Sequence, residues 1–257
     1  MAAAEIPVLK VLNVTRVFGE KRALDGVSLD VPAGSIFGFV GPNGAGKTTL
    51  IRSIVGVAKP DAGDIRIAGQ SVLTDGLACK RQTAYVPDNP DVYEFLTGMQ
   101  YLDYIADIFE VPAALQHERI RAHAERLRIA QDLGSLISAY SHGMRQKLVL
   151  IGAFLHEPLL MVLDEPFVGL DPEASFQVKG MLRELAARGS AVFFSSHVLE
   201  VVEKLCDQVA IIQHGRIQAC GATEEVRGAA GLEAVFLEMV RETTEPPEGT
   251  PTQEDVR

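Results

Sequence analysis

Eight residues constrain this chain more than any others. Gly41 to Thr48 read GPNGAGKT, a match to G-x-x-x-x-G-K-S/T, and stand between the apolar run SIFGFV and the helical pattern TTLIRSIVG. A run that is apolar at every position suits a strand buried on both faces, which needs a layer of structure on either side. Glycines let the turn leaving such a strand point its backbone N–H groups inward as an anion cradle, and the following helix adds favourable partial charge at its N-terminus. Lys47 then reaches β- and γ-phosphates, and the Thr48 hydroxyl can ligate Mg²⁺. The nucleotide-binding residues expected here are Gly41, Pro42, Asn43, Gly44, Ala45, Gly46, Lys47, Thr48 and Thr49.

A phosphate cradle of this kind needs an acidic partner for the metal, and LLMVLDEP supplies one where an apolar run ends in Asp164 and Glu165. Ligands of open α/β sheets collect at the carboxyl ends of strands. Asp164 is expected to hold Mg²⁺, directly or through water, and Glu165 to orient and polarise an attacking water.

The rest of the chain fits an α/β fold around that turn. LLMVL, AVFF and QVAII are of strand length, and PEASFQVKGMLRELAARG and VLEVVEKL carry helical patterns between them, which implies βαβ units and a largely parallel sheet. VLKVLNVTRVFG and ALDGVSLDV alternate as strands with one buried face. Helical spacing dominates from about Leu96 to Leu155, and Pro112 suits a first helical turn there. GLEAVFLEMV, from Gly231 to Val240, reads as a last amphipathic helix, and the proline-rich end after it as a disordered acidic tail over 241–257. The Arg-rich stretch HERIRAHAERLR reads as a solvated helix face.

Composition excludes several classes. Cys79, Cys206 and Cys220 form no C-x-x-C pair, so neither a disulfide framework nor a zinc site is expected, and a reducing cytoplasm is the simplest compartment. Glu5 and Pro7 stand where a secretory signal would be basic and then apolar, and no apolar run approaches the ~20 residues of a spanning helix. A formal net charge of -10 disfavours nucleic acid and anionic lipid as direct partners.

YSHGMRQKL at Tyr140 to Leu148, just upstream of LLMVLDEP, resembles the signature motif of ATP-binding cassette (ABC) transporter ATPases. GLDP at Gly169 to Pro172 resembles their D-loop, SSHVLEVVEKLCD their switch-histidine segment with His197, RVFG their adenine-stacking aromatic with Phe18, and AYVPDNPDVYEFLTG their Q-loop. The likeness runs in family order over about residues 6 to 240 and is greatest to single-domain subunits of prokaryotic drug and multidrug exporters. It departs from the usual pattern where His142 and Met144 replace Gly and Gln, where Asp88 stands for the Q-loop Gln, and where Phe18 replaces Tyr.

The resemblance implies a P-loop NTPase core of mixed, largely parallel sheet with an antiparallel β lobe over 1–87 and 156–240, and an inserted helical subdomain over 88–155. It implies ATP and Mg²⁺ as cofactors, and an enzyme made of two such chains, or of this chain and a homologue, sandwiching two ATP head to tail. Each site would take Ser141, Gly143 and Met144 from one chain and the P-loop from the other. Phe18 would stack on adenine, Asp88 would approach Mg²⁺ or its water, His197 would donate to the γ-phosphate, and Asp171 would act across the dimer. The chain would drive separate integral membrane permease subunits from the inner face of the membrane. The aromatic start of Val92 to Phe109 would receive a cytoplasmic helix of that permease. Two other functions share the same motor: a soluble ATPase serving an assembly complex, and a regulatory ATP-binding subunit with low turnover.

Overall fold

The computed structural model describes residues 6–242; of the disordered tail expected over 241–257, the first two positions instead continue the last helix, and the rest lies outside the described residues. Two sheets carry the fold. The first is antiparallel, in the order β2-β1-β4-β5, from β1 (Leu9–Phe18), β2 (Lys21–Val31), β4 (Ala62–Ile67) and β5 (Gln70–Ser71). The second runs β10-β9-β3-β8-β7-β6, from β3 (Ile36–Val40), β6 (Thr83–Val86), β7 (Leu160–Asp164), β8 (Ala191–Ser196), β9 (Gln208–Gln213) and β10 (Arg216–Ala222). All its neighbours pair in parallel except β10, which is antiparallel to β9. This is the mixed α/β sheet expected of a P-loop NTPase.

Strand alternation divides the interior into two cores. Phe37 and Phe39 of β3, Leu160 and Val162 of β7, and Ala191 and Phe193 of β8 face the antiparallel sheet and helix α1 (Lys47–Ile54). The Phe193 ring stacks on Phe37 at 5.7 Å and lies 5.4 Å from Phe39. The residues between them, Ile36, Val40, Met161, Leu163, Val192 and Phe194, face the opposite core with helices α5 (His142–Phe154), α6 (Pro172–Ala187) and α7 (Leu199–Leu205). Burial on both faces explains why these strands read as unbroken apolar runs. That second core continues into α3 (Gly98–Ile108) and α4 (Ala113–Arg126) through Leu102, Ala106, Ile120 and Ala124. Short helices α2 (Gly76–Arg81) and α8 (Thr223–Arg227), two 3-10 turns (Ala130–Asp132 and Ile137–Ala139) and the last helix α9 (Leu232–Glu242) complete the elements of the described residues.

Local chemistry sets the helix limits. Thr97 begins α3 with a reciprocal capping box to Gln100, and Asp171 caps α6 ahead of Pro172. Pro112 stands one residue before α4, as its N-cap rather than within its first turn. The Arg-rich stretch presents the solvated face expected of it at His117, Glu118, Arg121, Glu125 and Arg128, whereas Arg119, His123 and Arg126 are drawn inward. Arg119 donates to the Leu155 carbonyl at 2.6 Å and pairs with Glu157, and Arg126 grips Glu184 of α6 with two 2.7 Å bonds. Between them, burial holds the His123 pKa down at about 4. These side chains fasten α4 to its neighbours. Among the described residues, no helix is long and apolar enough to cross a membrane.

Candidate nucleotide site

Register brings three chain segments to one edge of the parallel sheet. Val40 lies abreast of Ser196 and Ile211, and Asp164 abreast of Ser195, so the GPNGAGKT turn, the Asp164–Glu165 pair and His197 all leave the carboxyl ends of neighbouring strands. The turn is closed by its glycines. A Cβ at Gly41 would collide with the Ile212 carbonyl, and one at Gly46, whose φ is +115°, would sit 2.5 Å from the Ala23 carbonyl oxygen. Gly46 is the N-cap of α1, which puts the positive end of that helix under the turn.

Lys47 is buried, and its Nζ donates to the carbonyls of Gly41 at 2.6 Å and Pro42 at 3.3 Å. Burial lowers its pKa, with Glu165 and Asp164 pulling the other way. Asp164 is 2% exposed and accepts the Ser195 hydroxyl at 2.5 Å. Glu165 adopts the left-handed φ of +49°, uncommon for a residue other than glycine, and its N–H donates to the Ser195 carbonyl at 3.2 Å. Its side chain is 15% exposed and meets His197 Nδ1 at 2.9 Å, while the His197 side chain stays 60% exposed.

A cavity of about 310 Å³ joins the turn to the acidic pair, lined by Phe18, Lys21, Ala23, Asn43, Gly44, Gly46, Lys47, Thr48, Thr49, Asp88, Asp164 and Glu165. Phe18 stands half exposed at its mouth, with the Arg16 guanidinium 4.8 Å from the ring centroid. The exposed Thr48 hydroxyl with Asp164 and Asp88 forms an all-oxygen set, the chemistry of a magnesium site that substrate phosphates complete. The glycine-rich turn at the start of α1, the buried cation and this oxygen set fit a magnesium-bound nucleoside triphosphate.

The signature and D-loop residues expected at a nucleotide do not line this cavity. Ser141, Gly143 and Met144 stand at the start of α5, where Ser141 is the N-cap and accepts the Met144 N–H at 3.3 Å. Asp171 accepts from the Ala174 N–H and pairs with Lys147 at 2.7 Å, an arrangement that lowers its pKa through the Lys147 hydrogen bond.

Sequence reasoning missed Lys21, Ala23 and Ser195. Lys21 pairs with Phe18 across the β1–β2 hairpin, and the Gly19–Glu20 turn between them was a readable signal. Ser195 gave none, since its place opposite Asp164 depends on register. A second concavity, about 270 Å³, lies between β6 with the end of α1 and helices α3 and α5. Val55, Val57, Tyr101, Ile105, Phe109 and Val149 make it apolar, with Lys80 and His156 at its wall. Tyr93, Phe95 and Tyr104 form an exposed aromatic cluster with centroids 5.8 to 5.9 Å apart.

Residues 24–168 match a family model described as ABC transporter. The chain belongs to the ABC transporter family. The matched region is the family's ATP-binding cassette, an ATPase domain. An uncharacterized ABC transporter ATP-binding protein of Nostoc sp. is 37% identical over 80% of this chain, which spans 62% of that relative's length. The daunorubicin/doxorubicin resistance ATP-binding protein DrrA of Streptomyces peucetius is 33% identical, covering 88% of this chain and 69% of its own. A solved ATP-binding subunit of an ABC transporter superposes with a TM-score of 0.87 at 32% identity, over 91% of this chain and 99% of its own.

Proposed function

We propose that this cassette is the ATP-binding and ATP-hydrolysing subunit of an export-type ABC transporter. The observation that carries the reading is the 2.9 Å pair of Glu165 and His197, with Glu165 and the buried Lys47 in one cavity. Adenine stacks on Phe18, and the phosphates take the Gly41–Thr49 cradle, where Lys47 exchanges its carbonyl partners for phosphate oxygens. Thr48 and Asp164, with Asp88 nearby, would hold Mg²⁺, which neutralises phosphate charge when bound. Glu165 takes the proton of the attacking water. With a proton on each ring nitrogen, His197 donates its Nδ1–H to Glu165, steadying that carboxylate, and its Nε2–H to the γ-phosphate.

Ser141, Gly143 and Met144 complete a site only when a second chain, identical or homologous, docks head to tail and brings its α5 N-terminus to this cavity. Asp171 then acts across that interface. The described residues of 1–87 and 156–240 make up the core, and 88–155 the helical subdomain that carries this surface. Integral membrane permease subunits dock on the apolar groove beside Tyr93, Phe95 and Tyr104. With a net charge of -10, attachment to the inner membrane face runs through those subunits and not through lipid, and nucleic acid is no partner. The likeness to DrrA, named for drug resistance, favours export. The test is the Glu165→Gln variant with Mg-ATP, followed by light scattering on a sizing column: the reading predicts a doubled mass that reverts on nucleotide removal, and a monomer at saturating ATP would contradict it.

A further inference from the structure

The start of α5 is fastened to the segment running from Glu165 to Asp171 at four points. A Cβ at Gly143 would lie 2.6 Å from the Gly169 carbonyl oxygen, so the two backbones touch. Gly169, with φ of +79°, has the His142 ring where its own Cβ would go. Gln146, fully buried, donates to the Pro166 carbonyl at 3.2 Å. Lys147 meets Asp171 Oδ2 at 2.7 Å, and Asp171 Oδ1 accepts the Ala174 N–H at 2.8 Å.

These contacts span the whole segment. Pro166 follows Glu165 directly, Gly169 lies just past the segment's midpoint and Asp171 is its end, and Val168 N–H to the Glu165 carbonyl at 3.2 Å stiffens it from within. A seven-residue loop held at both ends and in the middle has little freedom to move without α5. Lys147 is the one cationic anchor among the four, and its side chain is 13% exposed while that of its partner Asp171 is 52% exposed, so the pair is held from the Lys147 side and salt screens it in part.

We propose that Lys147 is a positioning residue for hydrolysis: by holding Asp171 it makes Glu165 and the Ser141–Gly143 surface of the same chain one mechanical unit. The inference rests on the proposed roles of Glu165 and of the α5 N-terminus. Through this unit, a change at one site's water-activating carboxylate shifts the phosphate-binding surface that the chain presents to its partner. A misplacement of about 1 Å at a reacting centre can cost on the order of 10²-fold in rate.

The test compares the full chain with Lys147→Met, Lys147→Arg, Asp171→Asn and the Lys147→Met/Asp171→Asn double variant, reading ATP turnover and the affinity for a fluorescent ATP analogue. Lys147→Met should lose about tenfold or more in kcat with nucleotide affinity unchanged, because Lys147 lies outside the nucleotide cavity. Lys147→Arg should recover most of the loss, and the double variant should turn over no more slowly than Asp171→Asn. Hydrogen exchange supplies a readout independent of turnover: Lys147→Met should speed residues 141–146 and 166–171 together and leave 41–49 unchanged. Full kcat in Lys147→Met, additive losses, or faster exchange in only one of the two segments would overturn the inference. A wild-type chain without any ATP turnover would instead contradict the proposed function, and the exchange comparison would still decide whether Lys147 couples the two segments.

Discussion

The bond between Ser195 and Asp164 offers a prediction whose size follows from geometry. Parallel register sets the two side chains abreast, both are buried, and the hydroxyl reaches Oδ1 at 2.5 Å. Ser195→Ala removes a hydrogen bond to a charged group, worth about 1.5–3 kcal/mol, and leaves a buried carboxylate oxygen short of a donor. The backbone turn should survive, since the Glu165 N–H keeps the residue 195 carbonyl as acceptor. At about 2–4 °C per kcal/mol for a chain of this size, the thermal midpoint should fall by roughly 3–12 °C. Loss of the group that orients a metal-binding carboxylate typically costs about 10- to 100-fold in metal affinity, so the Mg²⁺ needed for half-maximal binding of a fluorescent ATP analogue should rise by that factor. Circular dichroism melts without nucleotide and magnesium titrations with it measure the two effects separately. A Ser195→Ala variant that melts within about 1 °C of wild type, with an unchanged magnesium titration, would refute the argument that this hydroxyl organises Asp164.

Two further outcomes test other parts of the account. Lys47→Ala should abolish binding of the same ATP analogue while leaving the fold intact, and retained tight binding would remove the phosphate cradle from the account. His156 stacks on Phe109 at 3.8 Å, and burial lowers its pKa to about 4, only partly offset by the Thr83 backbone. The folded state therefore favours neutral His156, its full contribution is present above the unfolded value near 6.5, and stability is lost as pH falls from there towards 4. His156→Phe keeps the stack and removes that proton linkage. In urea unfolding, the stability of this variant relative to wild type should rise by about 2 kcal/mol between about pH 7 and pH 4.5; parallel pH profiles would show that His156 titrates normally.

The sequence disclosed what is encoded locally. GPNGAGKT is legible because cradle, cation and helix start are consecutive, and the central strands β3, β7 and β8 are legible because burial on both faces confines polar residues to their carboxyl ends. β10 escaped notice because it is an edge strand, RIQACGA, with little burial to mark it. Contacts between distant segments escaped for another reason. Arg126 and Glu184 are 58 residues apart, Lys147 and Asp171 are 24 apart, and nothing in either stretch alone tells a paired cation from a solvated one. The pairing of Ser195 with Asp164 depends on strand register, which periodicity cannot supply. The motifs at Ser141 and Asp171 were recognisable by resemblance, whereas their mutual attachment through Gly143, Gly169 and Lys147 emerged only from the folded backbone.

The most direct measurement of the central claim is single-turnover hydrolysis of prebound Mg-ATP by the wild-type chain and by Glu165→Gln. Loss of a general base typically costs on the order of 10²- to 10⁴-fold, and a fall within that range is expected here with ATP affinity retained. A Glu165→Gln variant that hydrolyses bound ATP at the wild-type rate would contradict the assignment of Glu165, and with it the reading of the Glu165–His197 pair as the centre that activates water.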